Sequence, residues 1–278
     1  DAMLCGLVGS FDVHLEHVRH TIGLRPGAST FATMNALLLD DRTLFVADTA
    51  TMCVNPLIHD NLPYDPARDL VPLTLLFRAT FLILVGGESR FQSVPQLLDA
   101  ARREPGRVSY ASLGNGHAVH VAIETLAQAA GVRMLQVPFK DASALFTAVA
   151  AGDVDFTAFS VNTVAGLLQQ KRLRALAVAS KTRIKELPGL PTLAEAGAPD
   201  VEMRPWAGLV AVAGTPQPVL DQLQRDLVGA IEAAEVRERI ATLGFELTPS
   251  TPQQLRARAE SDLALYTLLL RDGRLTKA

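Results

Sequence analysis

The residues of this chain with the clearest chemical potential form a glycine turn within residues 108–130. Val108 and Tyr110 alternate with small residues as in a short buried strand, and an amphipathic helical pattern follows the turn. The first turn of such a helix has unpaired N–H groups and a partial positive charge, so it attracts an anion. We therefore predict that this turn binds a carboxylate through a group of five residues: Ser112, Gly114, Asn115, Gly116 and His117.

Two other interpretations of this turn remain open. Gly114 and Gly116 make up two thirds of a dinucleotide-binding fingerprint, but Val119 occupies the position of the third glycine. An ordinary strand-to-helix turn that binds nothing has the same local pattern. The carboxylate interpretation therefore depends on the rest of the chain.

Composition and motifs exclude several classes of function. The net charge of -3 and the pI near 6.1 provide no basic surface for nucleic acid, and aromatic residues are only 5%. Neither a GxSxG nucleophile motif nor a GxxxxGK[ST] phosphate loop occurs. Two of His14, His17 and His20 could chelate a metal, but the pattern is not HExxH and no further ligand cluster is visible, so a solvated helix face is the favoured interpretation. We predict neither an enzyme nor a cofactor.

The cysteines and the start of the chain bear on its compartment. Asp1 is not followed by a basic, apolar leader, so we expect any export signal to have been removed or to lie outside this sequence. Cys5 and Cys53 fit neither a zinc site nor a disulfide scaffold, and are either one bridge in an exported protein or small buried hydrophobes. We predict that they lie close enough for a disulfide.

Strands alternate with helices along the 278 residues, which predicts an α/β protein with parallel sheets and two domains. Near the start, residues 31–39 are predicted as a helix and residues 43–47 as a buried strand. The small polar loop Asp48–Thr51 follows this strand. Loops at the carboxyl ends of strands are where open α/β sheets bind ligands.

Six motifs in order resemble one family of receptors. They are Asn55-Pro56 with Leu62-Pro-Tyr-Asp-Pro66, Tyr110-Ala-Ser-Leu-Gly-Asn-Gly116, Val137-Pro-Phe-Lys140, Leu173-Arg-Ala-Leu-Ala-Val178, Leu187-Pro-Gly-Leu-Pro-Thr-Leu-Ala-Glu-Ala-Gly197, and Trp206-Ala-Gly-Leu209 with Gly214-Thr-Pro216. Together they resemble the Bug-type periplasmic solute-binding proteins of tripartite tricarboxylate transporters. The resemblance extends from about Arg25 to the end of the chain.

The resemblance implies an α/β, two-lobed periplasmic-binding-protein-like fold with a ligand cleft between the lobes. Lobe 1 would comprise residues 1–107 and 208–278, with the C-terminal helices, and lobe 2 residues 108–207. The resemblance also implies an exported, periplasmic protein whose partners are a small carboxylate ligand and the permease subunits in the membrane. We expect a monomer.

The family's binding elements carry over to four places in this sequence. They are the loop of Gly9, Ser10, Phe11 and Asp12, the loop holding Thr49 and Thr51, the turn Ser112–His117, and the strand end at Phe159. Three positions depart from the family pattern. The first loop is shortened, His117 replaces a Ser or Thr, and Phe159 replaces an acidic residue that could pair an ammonium. We therefore expect a carboxylate without a required amino group, with Phe11, Phe139 and Phe159 as apolar wall.

The sequence leaves two further functions open. One is a sensor or scaffold of the same fold that signals to a membrane partner instead of serving transport. The other, less favoured, is a hydrolase-type enzyme, because Ser112 lies five residues from His117. A triad would need a third group whose position the sequence does not reveal.

Overall fold

A computed structural model describes residues 3–4, 35–39, 42–242 and 245–277 of the chain. The strands are β1 (Met3–Leu4), β2 (Asn35–Leu39), β3 (Arg42–Asp48), β4 (Leu70–Arg78), β5 (Phe81–Gly86), β6 (Ser109–Ser112), β7 (Leu135–Pro138), β8 (Phe156–Ser160), β9 (Leu173–Val178), β10 (Trp206–Val212) and β11 (Glu246–Leu247). The helices are α1 (Asn55–Ile58), α2 (Pro66–Asp69), α3 (Val94–Arg103), α4 (Ala118–Ala129), α5 (Ala142–Ala151), α6 (Val161–Gln169), α7 (Gln217–Glu232), α8 (Ala234–Thr242) and α9 (Pro252–Arg271), and a π-helical segment, Ala50–Val54, leads into α1.

The first sheet has six strands in the order β1-β2-β3-β10-β4-β11, and every pair in it is antiparallel. The late strand β10 lies in the middle, with Ala207 opposite Asp48 and Trp206 opposite Arg78. The prediction of parallel pairing is wrong for this sheet. The reason is that β2 and β3 form a hairpin while β10 arrives from a distant part of the chain.

The helix predicted for residues 31–39 is wrong where the structure describes it. Asn35–Leu39 is strand β2, which pairs antiparallel with β3 from Asn35 opposite Val46 to Leu39 opposite Arg42. A run of alanine and leucines has no strong preference for a strand. The partner strand supplies the hydrogen bonds that override the local propensity.

The second sheet has five strands in the order β7-β6-β8-β5-β9. Strand β6 runs parallel to β7 and β8, whereas β5 is antiparallel to β8 and β9. The predicted parallel pairing therefore holds only around β6. Because β6 and β8 are parallel neighbours, the carboxyl end of β6, where the glycine turn begins, lies beside the carboxyl end of β8.

Each sheet has its own apolar core. The second sheet is covered by α3, α4 and α5, with Leu97 and Ile123 fully buried between sheet and helices. On one face of the first sheet, Leu255 and Leu269 of α9 pack with Phe45, and α7 covers the other face. The C-terminal helices therefore pack on the first sheet, and the predicted division of the chain into two lobes stays a prediction.

The chain crosses twice between the sheets, through short segments that touch each other. Ala79 N–H donates to the Pro205 carbonyl over 2.9 Å, and Phe81 N–H donates to the Met203 carbonyl over 3.1 Å. The first crossing therefore lies at residues 79–80, before the predicted lobe boundary at residues 107 and 108. Strand β5 and helix α3, assigned to lobe 1 by the sequence, belong to the second sheet and its core.

Among the helices of residues 42–242 and 245–277, none combines the length and the apolar character that a bilayer span requires.

Candidate functional site

The glycine turn follows β6 and leads into α4, as predicted. Gly114 has a φ of +108° and Gly116 a φ of +76°, conformations that favour glycine. A Cβ on Gly116 would lie 2.8 Å from Ile58 Cδ1 and 2.9 Å from Val54 Cγ1. The turn therefore packs directly against the helical residues 50–58 that follow β3. This close approach also requires a glycine at position 116.

Ser112 organises the turn from within. Its hydroxyl accepts hydrogen bonds from Gly114 N–H at 3.3 Å and from Gln136 Nε2 at 2.8 Å, and the residue is fully buried. The predicted role of this hydroxyl as a donor to a ligand stays a prediction. In the structure, the same oxygen fixes the turn to β7.

Two histidines cap the start of α4. Nδ1 of His117 accepts from Val119 N–H at 3.2 Å, and Nδ1 of His120 accepts from Gly116 N–H at 3.0 Å. Each neutral ring therefore carries its hydrogen on Nε2. Burial lowers the pKa of both imidazoles below the ordinary value for histidine. Both rings are thus neutral at pH 7.

The two histidine caps occupy the N–H groups of Gly116 and Val119, which are among the donors of the turn and the helix start that were predicted to bind an anion. In the described part of the chain, the N–H groups of Ala118 and His120 have no hydrogen-bond partner. Both lie in the first turn of α4, where the helix dipole favours negative charge. They are the donors that remain for a carboxylate.

The loop predicted at the end of β3 is helical from Thr49 onward. Asp48 Oδ1 accepts Thr51 N–H at 2.7 Å, and the buried Thr49 hydroxyl accepts Trp206 N–H at 3.1 Å. The Thr51 carbonyl accepts from the Tyr64 hydroxyl at 2.9 Å. The bond from Trp206 joins the end of β3 to the first residue of β10, and the bond from Tyr64 joins it to the segment between α1 and α2.

Other predicted site residues have structural partners of their own. Asn115 Nδ2 donates to the Thr276 carbonyl at 2.7 Å, so it ties the turn to the C-terminal segment. The Phe159 ring packs on Phe146, with centroids 4.7 Å apart, inside the core of the second sheet. Contact of Asn115 and Phe159 with a ligand stays a prediction. Phe139 is half-buried against the same core. The first predicted loop, Gly9, Ser10, Phe11 and Asp12, lies outside the described residues.

A small cavity of about 30 Å³ lies between the two sheets. Thr49 and Ala118 line it, so it adjoins both the end of β3 and the first turn of α4. It is also lined by residues that the sequence prediction did not include: Glu202, Arg204, Arg258, Asp262 and Tyr266. The spacing of Arg258 and Asp262 on α9 is the one signal in the sequence, because i and i+4 positions share a helix face.

Two larger surface grooves, of about 600 and 690 Å³, lie on the second sheet away from this cavity. One follows β9 and residues 186–190, and the other lies between Arg90 and the C-terminal end of α3. None of the predicted site residues that the structure describes lines either groove.

A buried polar cluster fixes α4 to the C-terminal segment. Arg274 Nη1 donates to Glu124 Oε2 at 2.8 Å, and each side chain is 7% exposed. The Tyr110 hydroxyl donates to the other carboxylate oxygen at 2.7 Å. Burial raises the pKa of Tyr110, and the adjacent Glu124 raises it further, so the hydroxyl stays protonated. The helix that bears the candidate site is therefore anchored by a pair of residues that lie 150 positions apart in the chain.

The remaining sequence predictions concern cysteines and metals. Cys53 is a buried free thiol that donates to the Ala259 carbonyl over 3.4 Å. Cys5 lies outside the described residues, so the disulfide stays a prediction. Within the described ranges, no group of three His, Cys, Asp or Glu side chains is arranged to hold a metal. His14, His17 and His20 fall outside those ranges.

Comparison with protein families decides the identity of the chain at family level. The model of the tripartite tricarboxylate transporter family receptor matches residues 25–271. The chain belongs to this receptor family. The membership confirms the predicted Bug-type resemblance, and it confirms that the chain is not an enzyme, because the family and its structural relatives are solute-binding receptors.

Individual relatives agree with the receptor family. The "UPF0065 protein in tcbD-tcbE intergenic region" of Pseudomonas sp. strain P51 is 35% identical over 237 residues, which cover 85% of this receptor and 70% of that protein. BugT of Bordetella pertussis is 24% identical over 82% of this receptor and 70% of its own length.

Solved structures confirm the predicted fold class. R. palustris Rpa4515 with adipate has a TM-score of 0.71 at 25% identity, over 84% of this receptor and 78% of that chain. The periplasmic binding protein BugD has a TM-score of 0.69 at 24% identity, over 84% of this receptor and 79% of that chain. The two-sheet α/β architecture is therefore that of periplasmic solute-binding proteins.

Proposed function

We propose that this receptor binds a small carboxylate in a cleft between two lobes and delivers it to a membrane permease from the periplasm. The lobes correspond to the two sheets, with the crossings at residues 79–80 and 203–205 as the hinge. In this proposal the lobe boundaries follow the sheets. The cleft is the region around the cavity that Thr49 and Ala118 share.

One observation carries the proposal: at the first turn of α4, the N–H groups of Ala118 and His120 have no partner within the described residues. Ala118 lines the cavity between the sheets together with Thr49, so this end of α4 adjoins a space that both predicted binding elements reach. Charge-assisted hydrogen bonds from such donors contribute about 1.5–3 kcal/mol each. The relative Rpa4515, whose structure contains adipate, supports a carboxylate as the class of ligand.

The neutral His117 has a role in this site. Its Nδ1 is occupied by Val119 N–H, so its Nε2–H is the donor left for a ligand. A neutral imidazole suits a carboxylate that is held mainly by N–H groups, because it adds a hydrogen bond without a fixed charge. Phe159 supplies no counter-charge for an ammonium, which favours ligands without an amino group.

The test is a ligand screen followed by calorimetry. Mono-, di- and tricarboxylates, aromatic acids and amino acids are compared by the rise in melting temperature, since a ligand that binds only the native state stabilises it. A simple or aromatic carboxylate is expected to bind. Binding of amino acids alone would contradict the proposal.

The variant Gly116→Val tests the turn. Its Cβ would meet Ile58 and Val54, so the turn must move away from the first sheet and carboxylate affinity should fall. Gly131→Val is the matched control, because Gly131 also has a positive φ, has no atom within 4 Å of its Cβ position and lies outside the predicted site. If Gly116→Val binds the carboxylate as tightly as Gly131→Val, the turn is not the anchor.

A further inference from the structure

Arg78 lies in the first sheet at the point where strand β4 ends. It is the last residue of β4, and its Cα partners are Trp206 on β10 and Glu246 on β11. Side chains at directly opposed positions share a face of the sheet. The Arg78 guanidinium therefore lies beside Trp206 and Glu246, next to the crossing between the sheets.

The guanidinium of Arg78 has no partner within the described residues. It makes neither a hydrogen bond nor an ion pair there, and its Nε is buried. A buried guanidinium N–H without an acceptor is costly, so most such groups in proteins are paired. Burial lowers the pKa of Arg78, and the nearby Arg204 and Arg258 lower it further. The nearby Glu246 and Glu202 raise this pKa and so oppose that effect in part.

The neighbouring carboxylates are already engaged by other arginines. Arg204 pairs with Glu246 and lies 3.7 Å from Glu202. Arg258 Nε donates to Asp262 at 3.0 Å, and the same Asp262 oxygen accepts from Trp206 Nε1 at 2.7 Å. Glu202 and Glu246 thus share Arg204, Asp262 pairs with Arg258, and Arg78 is the arginine of this group that has no ion-pair partner within the described residues. Arg204 also has a buried Nε without a partner.

We propose that Arg78, Arg204 and Arg258 form a second anion site at the hinge, which takes a carboxylate group. Arg204 and Arg258 line the small cavity between the sheets together with Glu202 and Asp262, and Thr49 and Ala118 line the same cavity. Guanidinium groups bind carboxylates with paired, charge-assisted hydrogen bonds. The carboxylate belongs either to the far end of a dicarboxylate held at α4 or to a separate small acid. Only the first case rests on the proposed function.

Trp206 reports directly on this site. It is the single tryptophan of the chain, it lies opposite Arg78 in the sheet, and its indole N–H is bound to Asp262. Its fluorescence is titrated with adipate, hexanoate and acetate at constant ionic strength. The proteins are the wild type, Arg78→Met, Arg78→Gln and the control Arg256→Met. Arg256 lies on α9 as an exposed residue, so its removal changes the net charge equally.

The two possible sources of the carboxylate, a dicarboxylate held at α4 and a separate small acid, give different results. If one dicarboxylate spans both sites, the wild type binds adipate more tightly than hexanoate, and Arg78→Met and Arg78→Gln remove the difference. If a separate acid binds, acetate alone gives a saturable change in Trp206 fluorescence. In either case loss of Arg78 should weaken binding at least about tenfold, as expected for one charge-assisted hydrogen bond. Arg256→Met should behave as the wild type.

Several outcomes would overturn the hinge site. One is equal carboxylate affinity in the wild type and in both Arg78 variants. Another is a fluorescence change that chloride reproduces, which identifies an adventitious ion only. Failure of the proposed function is a separate result, because then calorimetry finds no carboxylate binding that depends on Gly116. The acetate response of Trp206 still tests Arg78 in that event.

Discussion

The buried pair of Glu124 and Arg274 predicts a large and specific loss of stability in the variant Arg274→Met. The two side chains are 2.8 Å apart and each is 7% exposed, so water cannot replace the lost partner. Removing one member of such a pair costs about 3–5 kcal/mol, because it leaves an uncompensated buried charge. Arg274 Nη2 also donates to the Val132 carbonyl at 2.8 Å, which would be left without this donor.

The assay is urea unfolding followed by circular dichroism, with the free energy of unfolding extrapolated to water. The double variant Arg274→Met, Glu124→Gln should recover at least about half of the loss, because the glutamine carries no charge and still accepts from Tyr110. The control Lys277→Met breaks the pair with Asp60, whose side chains are 58% and 68% exposed. It should cost less than about 1 kcal/mol. If Arg274→Met loses no more than this control, or the double variant is less stable than Arg274→Met, the reasoning fails.

Two further predictions concern titration and reactivity. Burial lowers the pKa of His120 in the folded state below the ordinary value of 6.5, so stability is fully present above that pH and declines as the pH falls below it. In the variant His120→Gln, the free energy of unfolding measured by urea titration should decline less steeply as the pH falls. An unchanged slope would contradict the inference. Burial raises the pKa of the Cys53 thiol, so a thiol reagent should label it only as the protein unfolds. Labelling of the native protein as fast as of the denatured protein would show that the thiol is accessible.

The local part of the site could be predicted from the sequence. Gly114 and Gly116 have positive φ values, and α4 begins at Ala118 as its apolar spacing indicates. These features depend on neighbours in the chain, which the sequence displays directly. The motifs also led to the receptor family, because several short matches in a fixed order are specific together.

The parts of the site that depend on distant pairing could not be predicted. Asn115 binds Thr276, 161 residues away, and no pattern near Asn115 indicates this. The isolation of Arg78 depends on the register that puts Trp206 and Glu246 beside it. Strand β5 joins the second sheet through antiparallel pairing with β8 and β9, whereas alternation of strands and helices favoured parallel sheets. Register and sheet membership are set by packing across the whole fold.

The central place of β10 in the first sheet has a consequence for the order of folding. Residues 81–178 supply every strand of the second sheet, so this sheet can form as soon as that continuous stretch is available. The first sheet needs Trp206–Val212 between β3 and β4 before those strands are joined. Contacts of such high sequence separation form slowly because a long loop must close first. We expect the second sheet to gain protection from hydrogen exchange before the first during refolding, and β3 and β4 to remain exposed edges until β10 arrives.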